Sequence, residues 1–251
     1  METKYMNDIY LGDSYEMIKE IPDKSIDLIV TDPPYNIGEC SGKGMLKNRS
    51  ASYFQEIRDL GINKGIDYKI LDEFVRVMKK INIYVWCNKA QLLDYLKYFV
   101  DKKKCNFDMI IWAKNNPPPF LNGHYLKDKE YCLFFWESDV KPTITYNRGK
   151  TVYFSNLNVK DKKLYHHPTI KPEEIISNLI LNSSEEGGVI LDTFSGSGTT
   201  CVCAKKLHRN YIGFEINKEY YEISRRRLNE NEQLSLFDWC WKRTIVYVNN
   251  F

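Results

Sequence analysis

Val189-Ile190-Leu191-Asp192-Thr193-Phe194-Ser195-Gly196-Ser197-Gly198-Thr199-Thr200 is the stretch that decides how this chain folds. A short apolar strand ends in an acid, and a turn of small residues follows. Two glycines in the turn let the backbone bend tightly and approach whatever lies above it. A helix then runs to about Leu207, and Tyr211-Ile212-Gly213-Phe214-Glu215-Ile216 reads as the next strand. Strand, glycine turn, helix, strand and an acid roughly twenty residues on form a Rossmann-like unit, with Glu215 placed for the hydroxyls of a ribose.

Working outward, the same alternation fills most of the chain. Ile9-Tyr10-Leu11 is a strand ending at Gly12-Asp13-Ser14, and Tyr15 to Ile21 has helical spacing with Ser14 as its N-cap. Ile26 to Val30 is a buried strand that runs into Thr31-Asp32-Pro33-Pro34-Tyr35 and is stopped by the prolines. Ile66 to Lys80 is an amphipathic helix with Ile70, Phe74, Val77 and Met78 inward. Strands follow at Ile83 to Cys87, Phe107 to Trp112 and Glu130 to Trp136, with a helix over Ala90 to Val100. Pro172 fits the N1 position of a helix that opens with Glu173-Glu174, and a basic amphipathic helix spans Tyr220 to Leu228. This is the pattern of an α/β protein with helices on both faces of a sheet.

Composition sets limits without choosing a function. With 251 residues, 43% hydrophobic and 27% charged, the chain is long enough for one substantial domain and reads as globular. A net charge of +3 neither requires nor excludes nucleic acid. Seven cysteines without a Cys-x-x-Cys pair point to reduced thiols, so neither a disulfide framework nor a metal site is expected. The first residues lack a signal-peptide core and no apolar run reaches membrane-spanning length, so the expected setting is cytoplasmic with no membrane partner.

Two sites of chemistry stand out. At Asp32-Pro33-Pro34-Tyr35, a carboxylate, a stiff carbonyl-presenting turn and an aromatic ring leave a strand end together. That combination suits a flat, amino-bearing base. The 189–215 unit alone is compatible with NAD, with S-adenosylmethionine or with a tight structural turn. Cys201 stands where the dinucleotide pattern has its third glycine, and no lysine follows the glycines as in a P-loop.

Taken together, the two motifs resemble the β class of S-adenosylmethionine-dependent amino-DNA methyltransferases. The likeness runs through Gly12-Asp13, Thr31 to Gly38, Ile111 to Asn116, His167 to Pro172, Leu191 to Thr200 and Gly213-Phe214-Glu215. The resemblance implies a seven-stranded, mostly parallel Rossmann-like sheet, circularly permuted, with a small recognition insert. It implies site-specific methylation of double-stranded DNA, single-stranded DNA remaining open, with S-adenosylmethionine as cofactor. Asp32, Pro33, Pro34 and Tyr35 would be catalytic, the first two accepting the N–H bonds of the target amino group and Tyr35 stacking on a flipped base. Asp13 would meet the adenine of the cofactor and Glu215 its ribose. Asp192, Phe194, Gly196, Gly198 and Thr199 would line the methionine end, with Thr169 and Lys171 nearby. An Asp at the first position of the tetrapeptide is more usual in N6-adenine enzymes, whereas N4-cytosine enzymes more often carry Ser. A nicotinamide oxidoreductase is the rival class, and it leaves the tetrapeptide unexplained.

One catalytic domain over 1–237 is expected, with a flexible loop at 36–67, a target-recognition insert at about 120–165 and a C-terminal tail of unknown role at 238–251. Gln233-Leu234-Ser235-Leu236-Phe237 is similar to the short peptide by which bacterial replication proteins dock on the sliding clamp. Its leucines and phenylalanine read equally as residues that pack back on the domain.

Overall fold

The computed structural model describes residues 5–36, 65–117, 125–156 and 170–230. Thr169, most of the 36–67 loop, the Gln233–Phe237 peptide and the tail lie outside the described residues. One sheet of eight strands organises the rest. The strands are β1 (Asp8–Leu11), β2 (Leu28–Thr31), β3 (Asn82–Cys87), β4 (Asn106–Lys114), β5 (Lys129–Trp136), β6 (Val152–Ser155), β7 (Val189–Asp192) and β8 (Asn210–Glu215). Their order is β1-β8-β7-β2-β3-β5-β4-β6. Only β5 runs antiparallel to its neighbours; all other pairings are parallel. Among the described residues the last two strands lie between the first two, which is the permuted arrangement expected.

Period-two alternation builds the two layers around the sheet. Ile29, Ile83, Val85, Leu133 and Phe135 project to one face, where α1 (Ser14–Met17), α2 (Ile70–Val77) and α3 (Leu92–Leu96) cover them. Leu28, Val30, Tyr84, Trp86, Cys132 and Phe134 project to the other. There α4 (Glu173–Ser183), α5 (Thr199–Lys206) and α6 (Lys218–Glu230) supply Ile176, Leu179, Cys203 and Leu228. All six positions of β3 are buried, as befits a strand covered on both faces. Each such aliphatic side chain contributes about 1.5–3 kcal/mol through burial.

Several local expectations shift. The sheet has eight strands, not seven. Val152–Ser155 pairs in parallel with the outer edge of β4, and the Trp112 indole N–H donates to Ser155 Oγ at 2.8 Å. Four residues, two of them exposed, give too little alternation for this strand to be read in advance. The cap of α1 is Asp13, whose carboxylate accepts from Tyr15 N at 2.9 Å, while the Ser14 hydroxyl donates to the Thr193 carbonyl. Pro172 is the cap preceding α4, with ψ at 125°, not its first helical residue. The helix expected over 66–80 is regular only from Ile70 to Val77. Among the described residues no helix is long and apolar enough to cross a membrane.

Candidate active site

Parallel strands bring their carboxyl ends to one edge, and here that edge is acidic. Asp13 follows β1, Glu215 ends β8, Asp192 ends β7 and Asp32 follows β2. These are four adjacent strands in the order of the sheet. Ligands of open α/β sheets bind at this edge, where the chain reverses its order of winding.

The glycine turn is shaped from beneath. Gly196 and Gly198 have φ of 50° and 77°, left-handed values that favour glycine. A Cβ on Gly198 would also stand 2.8 Å from that of Ser224 on α6. Glu215 spans the turn and the next loop, accepting from Gly196 N and Asn217 N, both at 2.7 Å. Arg227 of α6, 1% exposed, reaches under the turn and donates to the Ser197 carbonyl at 2.7 Å and to Thr199 Oγ1 at 3.0 Å. Its other nitrogen donates to Glu173 Oε1 at 3.0 Å. Burial pushes Asp192 up to about 7, against the Thr200 and Thr31 hydroxyls and the Phe194 N–H that favour its charged form.

The tetrapeptide is held from the loop after β3. Gln91 Nε2 donates to the Pro34 carbonyl at 3.1 Å, and Asn88 Nδ2 to the Asn36 carbonyl at 2.7 Å. Asp32 makes an ion pair through Oδ2 with Lys171, while its Oδ1 is buried without a hydrogen-bond partner. An orphaned carboxylate oxygen in a ligand cleft is an acceptor awaiting a donor. Burial and the charge of Glu130 raise the Asp32 pKa, and Lys171 opposes them.

The sequence reading assigns Lys171 to the cofactor. The structure seats its ammonium beside the tetrapeptide, on Asp32 and 3.2 Å from Glu130 Oε2. It also faces the rings of Trp86 and Tyr35, at 5.1 and 5.5 Å from their centroids. Glu130 and Lys114, joined at 2.5 Å, are residues that sequence reasoning passed over. Burial opposes the charge of Lys171, but Asp32 and Glu130 outweigh it and raise the lysine above its usual value. Burial likewise opposes ionisation of Glu130, yet Lys171 and Lys114 hold it down to about 2. Two carboxylates and two ammoniums thus balance in charge beside Tyr35.

The fold and site define an α/β protein with a glycine turn of nucleotide-binding type beside a buried carboxylate that has one oxygen without a partner. The DNA methylase family matches residues 26–226, and the chain belongs to it. Its chemistry is methyl transfer to DNA. The chain is 30% identical over 244 residues to the Type II methyltransferase M2.LlaDCHI of Lactococcus lactis subsp. cremoris, covering 90% of each. It is 28% identical over 250 residues to the DNA adenine methyltransferase YhdJ of Escherichia coli K12, covering 87% of this chain and 81% of that one. Among solved structures, the M1.HpyAVI–SAM complex superposes with a TM-score of 0.64 at 24% identity, covering 88% of this chain and 98% of the other.

Proposed function

We propose that the chain transfers the methyl group of S-adenosylmethionine to the exocyclic N6 amino group of an adenine flipped out of double-stranded DNA. The observation that carries this reading is the state of Asp32. One oxygen is committed to Lys171 and the other is buried and unpartnered, at a strand end beside an aromatic ring. An amino nitrogen conjugated with a purine ring is a weak nucleophile. Accepting one of its N–H bonds on Asp32 Oδ1 and the other on the Pro33 carbonyl localises density on nitrogen and aims the lone pair. Transfer would join nitrogen to the methyl carbon as the sulfonium leaves as a thioether, and the proton shed by nitrogen would pass to solvent. Tyr35 stacks on the base.

The residues of the glycine turn fit the cofactor by their chemistry. S-adenosylmethionine carries an adenine amino group, a ribose diol and a methionine ammonium, and Asp13, Glu215 and Asp192 are carboxylates suited to them in that order. Thr193 to Thr199 contains no basic residue to meet a pyrophosphate. When bound, the cofactor supplies an electrophilic methyl group. That the similar M1.HpyAVI fold was solved as a complex with SAM agrees with this choice. Thiol catalysis is disfavoured near the base, because burial and the charge of Asp32 push Cys87 up to about 12.

Adenine is preferred because Asp32 heads the tetrapeptide and because the name of YhdJ specifies adenine. The Type II designation of the Lactococcus relative supports a place in a restriction–modification system. We assign target recognition to about 120–165, where Tyr125 and Phe154 are 98% and 71% exposed. The test is nucleoside analysis by mass spectrometry after incubation with duplex DNA and S-adenosylmethionine. N6-methyldeoxyadenosine is expected, and Asp32→Ala abolishes it while cofactor binding persists. Appearance of N4-methyldeoxycytidine instead overturns the choice of base, and turnover by Asp32→Ala overturns the mechanism.

A further inference from the structure

Asp32 offers two equivalent oxygens, and an amino group can be aimed only if one of them is set aside. Lys171 occupies Oδ2, so the direction of Oδ1 depends on where Lys171 is held. Lys171 enters from the segment before α4 and is 5% exposed, with a long flexible stem. An ammonium held only by Asp32 would follow that carboxylate through its rotamers. Glu130 supplies a second hold, with Oε2 3.2 Å from the same ammonium. Glu130 is itself anchored at 2.5 Å by Lys114.

The topology explains why an acid from a distant strand can do this. Because β5 is antiparallel to both its neighbours, its beginning lies at the edge where the parallel strands end. Glu130, second residue of β5, stands opposite Trp112 of β4, and Lys114 is the last residue of β4. We propose that Glu130 is a positioning residue for methyl transfer, fixing Lys171 through a second ion pair so that Asp32 Oδ1 faces the amino group of the base. The assignment rests on the function proposed above.

Several groups act on Asp32 and bear on the test. Lys171, Glu130 and Tyr35 face it, and Cys87, Cys132 and Asp192 also sense its charge. Glu130 raises the pKa of both Asp32 and Lys171. Removing its charge therefore moves the acid limb of the kcat/KM profile, and any limb from Lys171, to lower pH.

The experiment compares wild type, Glu130→Gln and the double variant Glu130→Gln/Lys114→Met in steady-state methylation of one duplex over a range of pH. Cofactor affinity and Tm are measured alongside. Glu130→Gln is expected to lower kcat by about 10–100-fold through a misaimed carboxylate. Cofactor affinity stays within about twofold and the acid limb shifts to lower pH. The double variant removes the buried ammonium that Glu130→Gln alone leaves unpaired, so it folds even where the single variant does not. It keeps the loss in kcat, because Lys171 still lacks its second hold. Recovery of wild-type kcat in the double variant would mean that Glu130 serves only to neutralise Lys114, and would overturn the proposal. So would an unchanged kcat or an unmoved acid limb in Glu130→Gln. An inactive wild type would instead count against the proposed function itself.

Discussion

Asp32 and Asp192 sit at the ends of adjacent strands, and their surroundings divide their roles. Asp32 has a lysine against it; Asp192 is surrounded by hydroxyls and one backbone N–H, so burial dominates and carries it up to about 7. The ordinary value in an unfolded chain is about 3.9. The folded protein therefore binds the proton more tightly, and the contribution of Asp192 to stability is fully present below about pH 4 and lost as pH rises through about 7. Comparing urea unfolding of wild type and Asp192→Asn at pH 5 and pH 8 isolates this group. Wild type is expected to lose more stability over that interval, with a slope of up to about 1.4 kcal/mol per pH unit. Equal losses in the two proteins would show that Asp192 does not titrate there. At this scale the acids of the strand ends were readable, because an acid closing an apolar run is conspicuous. Glu130 was not. An acid opening a strand looks like ordinary entry chemistry until the direction of β5 is known.

The elements show how a surface pattern conceals an interior contact. Arg225-Arg226-Arg227 reads as the solvated face of a basic helix. Successive residues of a helix point about 100° apart, however, and the three separate. Arg225 pairs with Asp8, Arg226 lies 3.7 Å from Glu230, and Arg227 turns inward beneath the glycine turn. The helix thereby braces the glycine turn proposed to line the cofactor site. Arg227→Met is expected to cost about 1–3 kcal/mol in denaturant unfolding, since it removes the guanidinium donors to Ser197 and Thr199 while Glu173 keeps Lys206. Cofactor affinity falls with it. A loss below about 1 kcal/mol would place Arg227 among ordinary surface charges. Helix positions were legible from apolar spacing, whereas ends and caps were not: Asp13 and Ser14 both cap well, and only the Thr193 carbonyl across the sheet decides between them.

For the whole molecule, fold class and permuted order followed from two motifs and the alternation between them, because strand ends and glycine turns are local in sequence. The eighth strand escaped because β6 owes its existence to an open edge of β4, a partner no local pattern reveals. The proposed cofactor site draws on Asp13 after β1 from one half of the chain and on the ends of β7 and β8 from the other. A ligand bound across them opposes separation of the halves. With S-adenosylmethionine or its demethylated product at about 100 times its Kd, stabilisation should reach about 2.7 kcal/mol. That corresponds to a rise of about 5–10 °C in Tm for a chain of this size. NAD should give no shift, and a rise with NAD alone would favour the oxidoreductase class.

The interleaving of early and late strands also governs when this protein can become itself during synthesis. The amide of Tyr211 is bonded to Asn7, 204 residues away, and β2 finds one of its two neighbours only in β7. At roughly 5–20 residues per second, the first strands emerge and then wait on the order of ten seconds or more for the segments that complete their sheet. Through that interval Leu28, Ile29 and Val30 have no β7 beside them. Methylating capacity can appear only after the ribosome has released β7 and β8.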